Sequence, residues 1–105
     1  MEQPNLLYLE ELADGDKEFE KHFISVLKSE FPQERDEYLA HLKKEELLEA
    51  GLVVHKLKNK INILGLLEGY NVAITHEEYL KVGNVSLVQD FFITLDTIET
   101  YLKDI

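Results

Sequence analysis

The chain has 105 residues and carries 21 acidic side chains against 11 Lys and Arg, which gives a formal net charge of −10. This length allows one domain, residues 1–105, and a hydrophobic content of 45% is typical of a folded chain with one core. The acidic balance disfavours nucleic acid and anionic membranes as partners, and the lack of cysteine excludes disulfides, thiolate metal sites and cysteine nucleophiles.

Hydropathy predicts no transmembrane segment. The longest uncharged runs, such as residues 61–67 and 82–89, are far shorter than the roughly 20 apolar residues that a spanning helix needs. The first residues, Met1-Glu2-Gln3-Pro4, lack the basic start and apolar core of a signal peptide. We therefore expect a soluble, cytoplasmic protein.

The spacing of apolar residues predicts helices in the first half of the chain. A short helix over 5–13 is expected to end at Asp14-Gly15-Asp16, and Asp16 is a good N-cap for a second, long helix. The apolar stripe of that helix keeps its phase across Pro32, so we predict one bent helix over about 16–43, or two nearly collinear ones. The stripe comprises Phe19, Phe23, Val26, Leu27, Phe31, Tyr38, Leu39 and Leu42.

Three further elements are predicted in the second half. One helix is expected over about 44–64, and another over about 67–81, which Gly83-Asn84 would end as a C-cap pair. Ser86 is the candidate N-cap of the last helix. The inward stripe of that helix comprises Leu87, Phe91, Leu95, Ile98 and Leu102. Four long helices with short loops predict an all-α fold, an antiparallel up-and-down four-helix bundle with a short N-terminal capping helix.

One histidine of the third long helix lies away from the apolar seam of that helix. At about 100° per residue, the seam is formed by Leu47, Ala50, Val54, Leu57, Ile61 and Leu64. His55 lies roughly 125° from the middle of this seam, so we expect the imidazole to be accessible to solvent. Its neighbours within two turns are Leu48, Gly51, Leu52, Lys58, Asn59 and Asn62.

These residue types suit a phosphoryl acceptor within a docking face. A solvated imidazole is a competent nucleophile at neutral pH, and a lysine one turn further on is placed to pair with a phosphoryl group on that ring. Exposed leucines around a reactive atom are typical of a docking surface. Simpler interpretations stay open: His55 and Lys58 as ordinary surface residues, Leu48 and Leu52 packed under the first helix, and Gly51 serving close helix packing.

The run from His55 to Gly65, His-Lys-Leu-Lys-Asn-Lys-Ile-Asn-Ile-Leu-Gly, resembles the signature of histidine-containing phosphotransfer (HPt) domains. That signature begins His-x-Leu-Lys-Gly and ends in a second glycine. Leu9-x-x-Leu12, Gly15-Asp16-x-x-Phe19 and the Phe31-Pro32 bend are also similar to that family, so the resemblance extends over essentially the whole chain.

The resemblance implies a free-standing phosphocarrier of a multistep two-component phosphorelay, which is not an enzyme and has no autokinase or ATPase activity. His55 matches the phosphorylated histidine, Lys58 the lysine that supports the phosphoryl group, and Gly65 the second glycine. The sequence departs from the family at Asn59, where glycine is usual, and at Lys60, where a small residue is common.

The same resemblance implies receiver domains of response regulators or hybrid histidine kinases as partners. A receiver phospho-aspartate would give its phosphoryl group to His55, which would pass it to another receiver. Mg²⁺ is expected on the receiver, so no cofactor or metal is expected on this chain. The expected rim of the docking face comprises Leu48, Gly51, Leu52, Asn59 and Asn62, and a monomer is expected.

Other functions find less support in the sequence. Lys56 follows His55 where an autophosphorylating kinase would carry an acidic residue, and no P-loop pattern occurs. The Glu-x-x-His pairs of a carboxylate-bridged metal bundle and the His-Glu-x-x-His motif of a zinc protease are also missing. The alternative is a helical adaptor that binds a partner protein through the face around Leu48 and Leu52 without phosphate. Phosphorylation of His55 distinguishes the two.

Overall fold

A computed structural model describes residues 2–105 of the protein, and within this range every regular element is an α-helix. In chain order, the helices are α1 (Leu7–Ala13), α2 (Lys17–Lys43), α3 (Leu47–Ile63), α4 (Leu67–Lys81) and α5 (Val88–Asp104). The predicted all-α fold is therefore confirmed. Over the same residues, no helix combines the length and the apolar character needed to cross a membrane.

The helices pack in a closed series around one core. Contacts join α2 to α3, α3 to α4, α4 to α5 and α5 back to α2, while α1 lies on α2. The most extensive contacts are those of α3 with α2 and with α4. The predicted seam of α3 is buried from Ala50 to Leu64, and Leu47 is partly buried. This burial fixes which face of α3 is left to solvent.

The second helix runs through Pro32 without interruption, as one of the two predicted forms requires. Asp16 caps the start of this helix, because its side chain accepts a hydrogen bond from the Phe19 backbone amide at 3.0 Å. Phe31 and Tyr38, on either side of the proline, are both buried, so the same face points inward along the helix. The prediction for Phe19 is wrong: the sequence pattern placed this residue in the inward stripe, but its side chain is exposed.

Glycine and asparagine end α4 as predicted. Gly83 has a φ of 78°, and its amide donates to the Leu80 carbonyl at 3.2 Å, while the Asn84 amide donates to the Tyr79 carbonyl at 2.9 Å. This pair of hydrogen bonds is a Schellman motif, which satisfies carbonyls at the helix end.

The predicted cap of α5 is wrong, and α3 starts slightly later than the sequence indicates. Ser86 does not cap α5; the Asn84 side chain instead accepts from the Ser86 amide at 2.9 Å, and this turn delays the helix until Val88. The third helix begins at Leu47 rather than near residue 44, because Glu45 adopts a left-handed conformation with a φ of 59°. Neither change moves the face of α3 that carries His55.

Candidate functional site

His55 lies on the outer face of α3, with 62% of its side chain exposed. The predicted accessibility of this imidazole is therefore confirmed. This exposure follows from the helical period, because the apolar seam of α3, which lies on another side of the helix, is buried in the core.

A carboxylate from α4 joins His55 to Lys58. Glu77 Oε2 lies 3.0 Å from His55 Nδ1, and Glu77 Oε1 lies 2.9 Å from Lys58 Nζ. The side chains of Glu77 and Lys58 are only 14% and 17% exposed, so the carboxylate lies mostly covered between the helices. These three side chains, hereafter the triad, form one hydrogen-bonded unit across the α3–α4 contact.

The charge of Glu77 follows from its surroundings. Partial burial opposes its ionisation, but hydrogen bonds and positive charge from Lys58 and His55 outweigh that effect and hold the pKa of Glu77 below its ordinary value. Glu77 is therefore a carboxylate at neutral pH, and a carboxylate only accepts hydrogen bonds.

The ionised carboxylate selects one tautomer of His55. Because Glu77 only accepts, His55 Nδ1 must carry the hydrogen of this contact. In the neutral ring the lone pair then lies on Nε2, on the side of the imidazole away from Glu77. The arrangement thus presents a nucleophilic nitrogen of fixed identity on an exposed surface.

The leucines beside His55 face outward. Leu48 and Leu52 are 63% and 69% exposed, so they do not pack under α1 as one interpretation of the sequence allowed. Together with residues of α4 they border a shallow groove of about 160 Å³ next to the triad. The groove is lined by Leu47, Leu48, Gly51, Leu52, Glu77 and Lys81.

Gly51 does not belong to the exposed rim, and this prediction is wrong. The residue is buried where α3 meets α4. A Cβ atom built on Gly51 would lie 3.8 Å from Leu80 Cβ and 3.9 Å from the Glu77 backbone oxygen, which is ordinary van der Waals contact. Close approach of the helices therefore does not require a glycine here, and Gly51 forms the floor of the groove.

Asn59 and Asn62 are exposed on the same face as His55, one and two turns along α3. Over residues 2–105, neither side-chain amide forms a hydrogen bond, so both side chains are available to a ligand or partner. Asn59 occupies the position where the resembled family usually has glycine, and its amide can donate to a phosphoryl oxygen.

Glu77 is the site residue that sequence reasoning missed. A signal for it exists in the sequence: His55 and Glu77 lie at similar distances on either side of Gly65, in the turn between α3 and α4. Two helices joined by a short turn bring such residues to the same level. The periodicity of α4 alone does not show that Glu77 faces α3.

Across the part of the chain that the structure describes, no group of three or more His, Asp or Glu side chains is arranged to hold a metal ion. Comparison of the chain with protein-family models, with curated proteins and with solved structures found no match. The structure itself shows an exposed imidazole on a helical scaffold, oriented by a carboxylate and accompanied by a lysine.

Proposed function

We propose that the protein is a histidine phosphocarrier of a multistep two-component phosphorelay. His55 accepts a phosphoryl group from the phospho-aspartate of a receiver domain and passes it to another receiver. The observation that carries this proposal is the triad, which leaves His55 Nε2 exposed as a nucleophile and provides both a carboxylate and an ammonium group beside it. The resemblance of the run from His55 to Gly65 to HPt domains supports the same conclusion.

The fold that we propose is a single HPt-like domain, an antiparallel up-and-down four-helix bundle with α1 as its cap. The closed series of contacts from α2 through α3 and α4 to α5 and back to α2 supports this arrangement. Short connections between successive long helices, such as the three residues between α3 and α4, favour antiparallel neighbours.

The transfer step uses the triad without moving a proton from the ring. The Nε2 lone pair attacks the phosphorus atom of the acyl phosphate, the bond from phosphorus to the aspartyl oxygen breaks, and the aspartate leaves as a carboxylate. The phosphorylated ring keeps its Nδ1 hydrogen and becomes cationic, and Glu77 balances that charge through the existing hydrogen bond. The return step to a second receiver reverses these events.

Lys58 compensates the incoming phosphoryl charge. Its ammonium group pairs with Glu77 in the unphosphorylated protein and lies one helical turn from His55, within reach of a phosphoryl group on the ring. In a chain with a net charge of −10, an anionic group on the surface needs such a local cation. Phosphoryl transfer depends mainly on positioning and charge neutralisation, so this small set of groups suffices.

The docking face for the receiver comprises the exposed leucines and amides around His55, namely Leu48, Leu52, Asn59 and Asn62. Apolar side chains this exposed contribute to binding by losing contact with water, while the amides donate hydrogen bonds at the edge. The receiver supplies the Mg²⁺ and the acidic pocket. We propose that this chain acts as a cytoplasmic monomer and neither binds nor hydrolyses ATP.

The test is phosphoryl transfer from a panel of charged receiver domains of the same organism, followed by intact mass. Phosphate that is labile in acid and stable in base should appear on the wild-type protein and on His22→Gln, which removes another exposed histidine. It should not appear on His55→Gln. Transfer to His55→Gln, or no transfer to wild type from a complete panel of verified donors, would contradict the proposal.

The second candidate is a helical adaptor that binds a partner without phosphate. The exposure of Leu48 and Leu52 beside a groove favours it, because such a surface binds a partner whether or not His55 is modified. Leu52→Ser and His55→Gln separate the two functions. An adaptor loses its partner with the first variant and is indifferent to the second.

A further inference from the structure

The residue that precedes Glu77 in the chain, His76, forms a polar contact in the core. His76 on α4 is fully buried, and its Nε2 atom lies 2.7 Å from the hydroxyl oxygen of Tyr38 on α2, which is also fully buried. The ring of Phe91 on α5 lies 5.1 Å from the His76 ring and 5.2 Å from the Tyr38 ring. The next residue along α4, Glu77, contacts His55 and Lys58 on α3. Two adjacent residues of α4 therefore make different contacts: His76 bonds within the core, and Glu77 bonds to the site residues on α3.

The hydrogen of this contact belongs to the tyrosine. If Tyr38 donates to Nε2, the only unpaired group of the two side chains is the Nδ1 hydrogen of His76. With the opposite polarity, the tyrosine hydrogen and the Nδ1 lone pair would both be unpaired, and burying an unpaired polar group is unfavourable. His76 Nδ1 indeed has no partner over residues 2–105. Burial lowers the pKa of His76 to about 4, so the ring stays neutral and able to accept at neutral pH.

Few large apolar side chains of α4 are fully buried, although Tyr70 and Val72 also pack against the core. The buried residues of this helix are Gly69, Ala73, His76 and Leu80. Two of the four are small, and small residues allow close approach without a large side chain that interlocks with the neighbouring helix. A carboxylate about 6 Å from the helix axis moves by about 2 Å when the helix turns by about 20°. That displacement is enough to break a hydrogen bond of 3.0 Å such as the one from His55 to Glu77.

We propose that the hydrogen bond between Tyr38 and His76 sets the rotation of α4 about its axis and thereby holds the Glu77 carboxylate against His55 and Lys58. Tyr38 and His76 are then positioning residues for the phosphoryl acceptor, although neither touches the reacting atoms. The effect on phosphoryl transfer rests on the proposed function, whereas the effect on the tautomer of His55 does not.

The double variant Tyr38→Phe/His76→Leu tests this inference. It removes both polar partners while retaining similar volumes, so no buried group is left unpaired and the core stays packed. Nitrogen NMR of labelled imidazole rings reports which nitrogen of His55 carries the hydrogen. We expect Nδ1–H in wild type, and in the double variant a shift toward free histidine, in which Nε2–H predominates. Transfer to His55 should slow by about 10- to 100-fold, the scale of a small misplacement of a reacting group.

Two further variants separate positioning from general loosening of the core. His76→Gln places an amide near the position of Nε2, where it can accept from Tyr38, so we expect the wild-type tautomer of His55. Ile98→Val removes a buried methyl group from α5 and should also keep that tautomer. If the double variant does not fold, Tyr38→Phe alone retains the ring and loses only the hydroxyl, and the same shift is expected.

A folded double variant with the wild-type tautomer would overturn the inference, and so would an equal shift in Ile98→Val. The NMR measurement needs no phosphate. A tautomer shift in a protein that accepts no phosphate from any receiver would therefore support the inference and remove the proposed function.

Discussion

His55 and His76 lie on neighbouring helices, each within hydrogen-bond distance of one oxygen, yet their chemistry differs. His55 is 62% exposed beside an ionised carboxylate, so water and Glu77 can stabilise a positive ring. His76 is fully buried beside a neutral hydroxyl, and burial lowers its pKa to about 4. On the proposed function the first imidazole accepts a phosphoryl group, whereas burial makes the second resist even a proton. The reactivity of a histidine here is set by the groups around the ring.

The largest expected effect comes from exchanging each histidine for glutamine. His55→Gln should abolish phosphate uptake and leave the melting temperature nearly unchanged, because an exposed side chain contributes little packing. His76→Gln should still accept phosphate. Intact mass after incubation with a charged receiver, together with thermal melts, measures both. Phosphate uptake that is lost in His76→Gln and kept in His55→Gln would show that the buried histidine, not the exposed one, is the reactive residue.

Acid should lower the free energy of unfolding through protonation of His76 in the unfolded chain. The unfolded chain binds a proton at His76 near pH 6.5 and the folded chain only near pH 4, so stability is full above pH 6.5 and falls as the pH approaches 4. The total loss from this group is about 3 kcal/mol. The lowered pKa of Glu77 adds a further loss of stability at lower pH, beginning near its ordinary value of 4.5.

Urea unfolding of wild type and of Tyr38→Phe/His76→Leu between pH 7 and pH 4 isolates the contribution of His76. Between pH 6.5 and about 4.5, above the range in which Glu77 titrates, only wild type carries the contribution of His76, so the stability of wild type relative to the variant should fall as the pH is lowered. Curves that remain parallel over this interval would show that His76 is not protonated on unfolding.

Neutralising the Glu77 carboxylate tests whether its charge contributes to the reactivity of His55. Glu77→Gln retains a side-chain oxygen that can accept from His55 Nδ1 but loses the charge that balances a phosphorylated ring. We expect single-turnover transfer to slow by about 100-fold, the lower end of the loss that follows removal of one electrostatic contact of a reacting centre. Glu78→Gln is the matched control, since Glu78 is exposed on the same helix and its ion pair, among residues 2–105, is with Lys81. Equal rates for the two variants would remove Glu77 from the mechanism.

The smallest expected effect concerns the floor of the groove. Gly51→Ala should raise the free energy of unfolding by up to about 1 kcal/mol, because alanine favours the helix and its methyl group meets only ordinary contacts. Phosphate uptake should not change. Gly69→Ala is the contrasting variant: its Cβ would lie 2.8 Å from Thr94 Cγ2, so stability should fall. Denaturant unfolding distinguishes a gain from a loss, and destabilisation by Gly51→Ala would show that α4 approaches more closely than the contacts indicate.

The helices and the exposure of His55 could be predicted from the sequence, because both depend on a period within one chain segment. Leu57 and Ile61 specify the inward face of α3, and the position of His55 then follows. The role of Glu77 and the burial of His76 depend on the rotation of α4 against its neighbours. Gly69 and Ala73 give that helix a weak apolar pattern, so periodicity does not define its faces. Gly51 was misplaced for a similar reason, since its burial depends on where Leu80 approaches.

The adjacency of His76 and Glu77 on α4 separates two properties that signalling proteins must adjust. On the proposed function, partners would recognise the surface of α3, whereas the lifetime of a phosphorylated His55 ring would depend on how firmly Tyr38 and His76 hold Glu77 in place. On the proposed mechanism, a substitution at Tyr38 or His76 changes how long a signal lasts and leaves unchanged the surface through which it is delivered. Duration and recognition can therefore evolve independently in one small domain.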